Sequence, residues 1–518
     1  MSRAVAIQPD VIVGEVNHGR EYGSVILNDW NRDRQAKQQK QVVRRSFEAA
    51  KVNRLTSSFL ATSASIDREL RGQLNMLRGR SRSLFRNNEY AKKFGRMVRS
   101  NLVGPNGFLL QAQSLDAPDK PDRLANKSIE AAHKRWCRKG VCEVSGRYSK
   151  NDADRALATA VARDGEVLIR LVRGAASQNE FNFAFQVLDI DRLDTMMNLD
   201  PIAGRNAVVM GVEMDAYRRP VAYWIFKSHP NGGLGGNRER ERVPAADIIH
   251  AFVPDDELEQ ARGLPWMHAA MLRLNDLGAY REAAIIASRI GAQQMGFFSG
   301  GDGGLDGMSD NGEASHDVDG LEMEAEAGVF RGLPEGTTFT AFNPDYPHQQ
   351  FDMFFKSCLR GIASGIGVAY HGFANDLEGV NFSSIRAGVM EERDEWMVLQ
   401  NWFIEAILIP LYEAWLEMAL LSGAITMPNG SALPTAKMSK FMAHSWQGRR
   451  WAWVDPLKDL KAAKMAMDEN LTSPQRIAAS QGVDIEDVLD EIKRFKEMLK
   501  EKGLDEGDLI PNQGKPDE

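Results

Sequence analysis

Carboxylates are plentiful in this chain, and Glu391, Glu392, Asp394 and Glu395 form one dense run. On a helix, consecutive acids point to different faces, so this run does not converge on a metal ion. The nine histidines are scattered singly from His18 to His444; His250, flanked by Ile249 and Phe252, reads as a satisfied core residue and not as a ligand. Asp317, Asp319 and Gly320 resemble part of a calcium loop, but its ladder of oxygen ligands is incomplete. No GxxxxGKS/T phosphate cradle occurs, and no HExxH, GxSxG or paired CxxC. The reading is therefore non-enzymatic, with no catalytic residue, metal or cofactor assigned. A nuclease assembled from dispersed carboxylates stays open, because it needs no local motif. Trp446, Arg449, Arg450, Trp451 and Trp453 lie just before Asp455 and Pro456. Indole and guanidinium planes stack on nucleobases, yet packing against one another in a core is their commoner use.

The elements that would position a site centre on residues 351–421. Phe351, Phe354, Phe355, Leu359, Ile362 and Ile366 recur at steps of three and four, the spacing of one buried helical face. Gly367, Gly372 and Gly379 then punctuate a loop of roughly seventeen residues holding Tyr370, His371, Asn375, Asp376, Glu378 and Asn381. Structureless loops beyond about 12 to 15 residues are usually functional or disordered. Ser383 or Ser384 caps a second helix with Ile385, Val389, Trp396, Leu399, Trp402, Phe403, Ile407, Leu411, Trp415 and Met418 on its apolar face. At about 1.5 Å per residue it spans roughly 55 Å, kinked near Pro410.

A chain of 518 residues, 43% hydrophobic, fills several domain-sized cores. No apolar run long enough to cross a membrane occurs: Phe403–Leu421 is interrupted by Glu405, Pro410, Glu413 and Glu417. The N-terminus lacks a signal-peptide core, and Cys137, Cys142 and Cys358 make no disulfide framework, which fits a reducing cytoplasm. The net charge of −7 is unevenly spread. Arg68–Arg99 carries ten Lys and Arg against two acids, on helical spacing with Leu70, Leu74, Leu77, Leu84, Phe94 and Met97. It faces phosphate, an acidic partner or simply solvent. Asp302–Glu326 carries nine acids and no Lys or Arg, and reads as a surface loop.

Residues 1–50 read as a polar arm. Helical patterns follow at 56–100 and 122–139. Strand-like runs occupy Val167–Val172, Phe181–Leu188, Val208–Met214, Val221–Phe226 and Ile248–Val253, with Phe181, Phe183, Phe185 and Val187 alternating. A helix returns over Trp266–Ile290, a short strand over Thr337–Phe342, and helices at 457–468, 473–480 and 484–502, the middle one capped by Ser473 before Pro474. The class is α+β, mainly helical.

Several of these runs, in order and spacing, carry a resemblance: Glu69–Gly104, DGEVLIRLV (Asp164–Val172), VLDIDRLDT (Val187–Thr195), Met210–Phe226, Arg242–Trp266 and Trp451–Ile492. Together they resemble the portal proteins of tailed bacteriophages, lambda-like family. The resemblance implies a portal fold divided into a polar arm (1–50), a wing of helices and strands (51–265), a first stem helix (266–292) and a clip with the acidic Gly-rich loop (293–346). A second stem helix (347–366), a tunnel loop (367–383), a long kinked helix returning to the wing (384–456), crown helices (457–503) and a tail (504–518) follow. It implies a homo-oligomeric ring, usually a dodecamer, at one capsid vertex of the virion, assembled in the host cytoplasm. Double-stranded DNA would pass through it. Its further partners would be the terminase large subunit, the major capsid or scaffold protein and the head-completion or tail connector protein, with no membrane.

An assumed ring of twelve at −7 each carries roughly −84, twelve times the subunit charge, and repels DNA along much of a channel. A strongly cationic ring would instead bind the duplex and stall it. In the loop, His371, Asn375 and Asn381 are candidate DNA contacts and Phe373 a bulky tip, with Asp376 and Glu378 resisting adhesion. Arg78, Arg82, Arg86, Lys92, Lys93 and Arg96 form a possible basic interaction helix, for contact between subunits or with the capsid more than for lining a channel. A capsid connector that never threads DNA is the other alternative.

Overall fold

A computed structural model describes residues 64–118, 120–232, 238–254, 258–292, 296–300, 337–341, 350–379, 381–451 and 455–502. All but Ala64 belong to the unit Ser65–Glu518, distinct from the unit Met1–Ala64. The polar arm, the acidic segment 302–326 with Asp317, Asp319 and Gly320, and Trp453 lie outside the described residues.

The basic region is not one helix. It is divided into α1 (Ile66–Leu70), α2 (Leu74–Asn87) and α3 (Glu89–Val98), followed by a π turn, Arg99–Val103. Asn88 makes the second break: extended itself, it caps α3 by accepting from the N–H groups of Tyr90 and Ala91, each at 3.0 Å. Strand β1 (Leu109–Ala112), the short pair β2 (Leu115–Ala117) and β3 (Lys120–Pro121), α4 (Arg123–Trp136) and α5 (Lys150–Asp164) come next.

The strands β4 (Glu166–Arg173), β5 (Phe183–Leu188), β6 (Ala207–Val209), β7 (Val212–Met214), β8 (Pro220–Phe226), β9 (Arg240–Pro244) and β10 (Ile248–Phe252) make two antiparallel sheets, ordered β10-β4-β5 and β6-β7-β8-β9. The single run expected over Val208–Met214 is a hairpin, because Met210 and Gly211 both take positive φ (45° and 89°) as a two-residue turn requires. Alternation along the three-stranded sheet separates two cores. Val167, Ile169, Leu171, Phe183, Phe185, Ile249 and Ala251 face the main core, while Leu168, Leu188 and Ile248 face a smaller one shared with Val212, Tyr223 and Ile225.

Helix α6 (Met271–Ala292) starts five residues later than expected. The pair β11 (Gly296–Gly300) and β12 (Thr337–Ala341) is antiparallel, and α7 (Phe351–Gly365) packs on α6 through Tyr280, whose ring stacks on Phe351 at 5.4 Å. After α8 (Tyr370–Ala374), α9 (Phe382–Phe403) begins just after Asn381, whose carbonyl accepts from Ile385 N–H. The start therefore precedes Ser383 and Ser384. Helix α9 runs through a π turn, Ile404–Leu408, into α10 (Ile409–Leu421). Pro410 lies in the first turn of α10, where the widened turn before it absorbs the missing N–H and the ring clash. Trp415 on α10 is fully buried against Trp136 and Phe181.

A short α11 (Met438–Phe441) leads to β13 (His444–Gln447), which pairs with β1 across more than three hundred residues. Helices α12 (Pro456–Asp468), α13 (Pro474–Ser480) and α14 (Ile485–Lys502) end the described chain, with Ser473 capping α13 as expected. Among the described residues no helix is long and apolar enough to cross a membrane.

Candidate nucleic-acid interface

Gly367 ends α7 in a Schellman motif. Its φ of 69° lets Val368 N–H reach Ala363 O (3.1 Å) while its own N–H reaches Ser364 O (3.3 Å). The chain then forms α8, where a structureless loop was expected. Tyr370, Phe373 and Ala374 have helical spacing, and the core takes up Phe373, 1% exposed, against Tyr90 of α3 at 5.6 Å between ring centroids. Phe373 is thus an anchor and not a bulky tip.

The polar residues sit around that anchor. Asn375 ends α8 in the left-handed conformation (φ 53°), which its short side chain tolerates, and its Oδ1 accepts from Lys93 Nζ at 2.9 Å. Asp376 accepts from the Tyr370 hydroxyl (2.7 Å) and from Glu378 N–H (2.9 Å), which hold its carboxyl below the usual range. Burial, followed by Asp376, pushes the Tyr370 phenol up to about 12. The Asp376 carbonyl can only accept, so His371 Nδ1 carries the proton in their 2.9 Å hydrogen bond. Lys356 on α7 pairs with Glu378 (2.5 Å) and Asp352 (2.9 Å), and both raise its pKa. His371 and Asp376 are half-buried; Asn375, Glu378 and Asn381 are exposed.

The six basic residues do not share one face. Arg78, 1% exposed, is unavailable to any partner, because it donates to Glu166, which is itself 0% exposed. Glu166 also accepts from Arg262 Nε (2.8 Å), His250 Nε2 (2.6 Å) and Gly263 N–H (3.0 Å). Two guanidiniums and a neutral imidazole thus surround one carboxylate. Burial lowers Arg262 to about 9 and His250 well below its ordinary value, the latter helped by Arg262 and Arg78. Gly263 is required here, since a Cβ would come 2.2 Å from Gly165 O. Arg82 is held by Asp164 (2.7 Å) and Asp191 (2.5 Å). Arg86, Lys92 and Arg96 are exposed, and Lys93 is half-buried.

Trp451 lies under Arg449 (5.4 Å) and Arg393 (5.7 Å), and Trp446 sits in a ring cluster with His133 and Tyr412. These rings pack within the protein. His250 is likewise a partnered core residue. Asp189, Asp191 and His229 are the one group among the described residues whose ligand atoms approach within 4.8 Å of one another, and the Arg82 guanidinium already pairs with both aspartates. The Glu166 cluster is not among the residues that local sequence motifs single out. Its signal was Arg78 on the same helical stripe as Leu74 and Ser81, both buried.

Residues 52–400 match the family described as phage portal protein, lambda family. The probable portal protein of Halomonas phage phiHAP-1 is 34% identical over 462 residues, covering 88% of this chain and 87% of that protein. The portal protein of Escherichia phage N15 is 22% identical, covering 80% of this chain and 83% of that protein. Portal protein B of Escherichia phage lambda is 21% identical, covering 80% and 82%. Among solved structures, a chain from the neck of an empty GTA particle aligns at a TM-score of 0.40 and 14% identity, covering 79% of this chain and 93% of that one. The family match spans well over half of the sequence, and the chain belongs to the lambda family of phage portal proteins.

Proposed function

We propose that this chain is one subunit of a ring, of twelve copies, that forms the conduit at a capsid vertex through which double-stranded DNA is packaged and later ejected. In this reading α6 and α7 are the stem, residues 367–383 the tunnel loop, α9 and α10 the beam into the wing, and α12 to α14 the crown. The strands β11 and β12 belong to a clip that docks the terminase and then the tail connector. What carries the reading, beyond family membership, is the build of the segment after α7. A buried foot, Phe373, is set against α3, and an exposed polar edge of Asn375, Glu378 and Asn381 projects beside it. Such an edge touches a passing polyanion without gripping it, and the subunit charge of −7 keeps the ring from holding the duplex. Glu378→Arg tests this: rings should form normally while packaging slows at low salt and recovers as salt screens the new charge. Packaging unchanged at every salt concentration would remove Glu378 from the DNA path.

A further inference from the structure

Three helices turn their basic residues toward one pocket of about 230 Å³. Arg82 and Arg86, one turn apart, come from α2; Lys92 comes from α3 and Arg99 from the π turn after it; Arg163 comes from α5. The five share the lining with Phe85, Gly95 and Thr159, and no acid is among the described residues that line it. Two of the cations are fixed in place. The buried carboxylate of Asp164 accepts from Arg82 Nε at 2.7 Å and from Arg163 Nη2 at 2.5 Å. The other three, Arg86, Lys92 and Arg99, are exposed, and among the described residues none holds them in an ion pair or a side-chain hydrogen bond. Three uncommitted cations around a pocket backed by two anchored guanidiniums exceed what a solvated helix face needs, and they match a ligand with several anionic oxygens.

We infer that this pocket binds phosphate groups. The shared chemistry is phosphoryl oxygen against guanidinium and ammonium, and its two sources are the duplex backbone and free pyrophosphate. The backbone source rests on the conduit reading above; the pocket itself does not. A carboxylate-rich peptide is the competing class. It is disfavoured because guanidinium forks matched to a carboxylate are already used on Asp164, and what remains is a spread of charge suited to successive phosphates.

The test uses the full chain and the variant Arg86→Ala/Lys92→Ala/Arg99→Ala. Each side chain is exposed and has no side-chain partner among the described residues, so its removal strands no buried described group; Arg96→Ala, exposed on α3 with Lys92 but outside the pocket, is the control. Binding of a short labelled duplex is measured against salt concentration, and pyrophosphate is assayed separately by thermal shift. With a contribution of about 0.9 per neutralised phosphate, the triple variant should flatten the slope of log K against log salt by between about two and three. The control should flatten it by less than about one. A flattened slope assigns the duplex backbone as the source. Pyrophosphate protection that the triple variant abolishes, with the duplex slope unchanged, assigns free phosphate. Unchanged binding of both probes overturns the site, as does binding of polyglutamate alone. Ring formation, read by electron microscopy on the same samples, reports on the conduit reading independently.

Discussion

The ring of Phe373 meets that of Tyr90 at 5.6 Å between centroids and an interplanar angle of 42°, joining two residues 283 positions apart, from 90 to 373. Tyr90 in turn meets Phe355 of α7 at 6.3 Å. One tyrosine on α3 therefore ties the segment after α7 to the helix that precedes it, and the exposed edge at Asn375 and Glu378 is carried on a fixed base.

Removing that base should loosen the segment. Burial of a Phe side chain against a close-packed surface makes Phe373→Ala cost about 3–5 kcal/mol, whereas Asn375→Ala at the exposed edge should stay within roughly 0.5 kcal/mol. Hydrogen exchange over residues 367–381, together with denaturant melts, reads both. A shortened loop lacking Gly372–Gly379 would lose Phe373 as well, so the consequences of such a deletion for packaging would mix anchor and edge.

The Glu166 cluster predicts a second asymmetry. Glu166→Gln leaves two buried guanidiniums without a counter-charge and should destabilise the protein by about 3–5 kcal/mol. Arg86→Ala, exposed on the same helix as Arg78, should be nearly silent in the same melt. Equal effects would place Arg78 at the surface.

Two buried histidines set a pH dependence. Burial, then Lys150 and His444, lowers His133 to about 3, and His250 is held well below 6.5 in the same sense. Both stay neutral in the folded chain while the unfolded chain takes up protons near its ordinary pKa. Their contribution is thus complete above about pH 6.5 and is lost as pH falls, by about 1.4 kcal/mol per pH unit for each histidine. For His133 the loss continues to about pH 3. His133→Phe, placed among the rings of Trp136 and Trp415, should make the fall in stability between about pH 7 and pH 5 shallower by that amount per unit. An unchanged slope would mean that His133 takes up a proton in the folded state.

Cys142 is 0% exposed, and burial pushes its thiol up to about 12. A thiol reagent at about pH 8 should leave it unmodified in the folded chain and modify it after denaturation, because the thiolate is the reacting form. Rapid labelling before denaturation would contradict the burial of Cys142 in the connection between α4 and α5.

Much of this architecture was legible as periodicity. The alternation of Phe183, Phe185 and Val187 marked a strand whose faces differ, although Phe181 lies in the turn before it, and Ser473 before Pro474 marked the start of α13, because both signals are local. The segment after α7 was harder to read. Three glycines suggested a loop, and the spacing of Tyr370, Phe373 and Ala374, the one sign of a helical turn, covers too few residues to outweigh them. The basic helices misled for another reason. Composition counts Arg78 and Arg86 alike, yet one faces Glu166, brought there by a strand 88 positions on, and the other faces solvent. Long-range pairing of this kind has no signature in a single stretch of sequence.

Electron microscopy of the purified full chain decides whether it forms a DNA conduit. Closed rings are expected, with a central hole wide enough for duplex DNA and density attributable to residues 367–383 at the edge of that hole. Monomers, or rings whose residues 367–383 face away from the hole, would contradict the conduit reading.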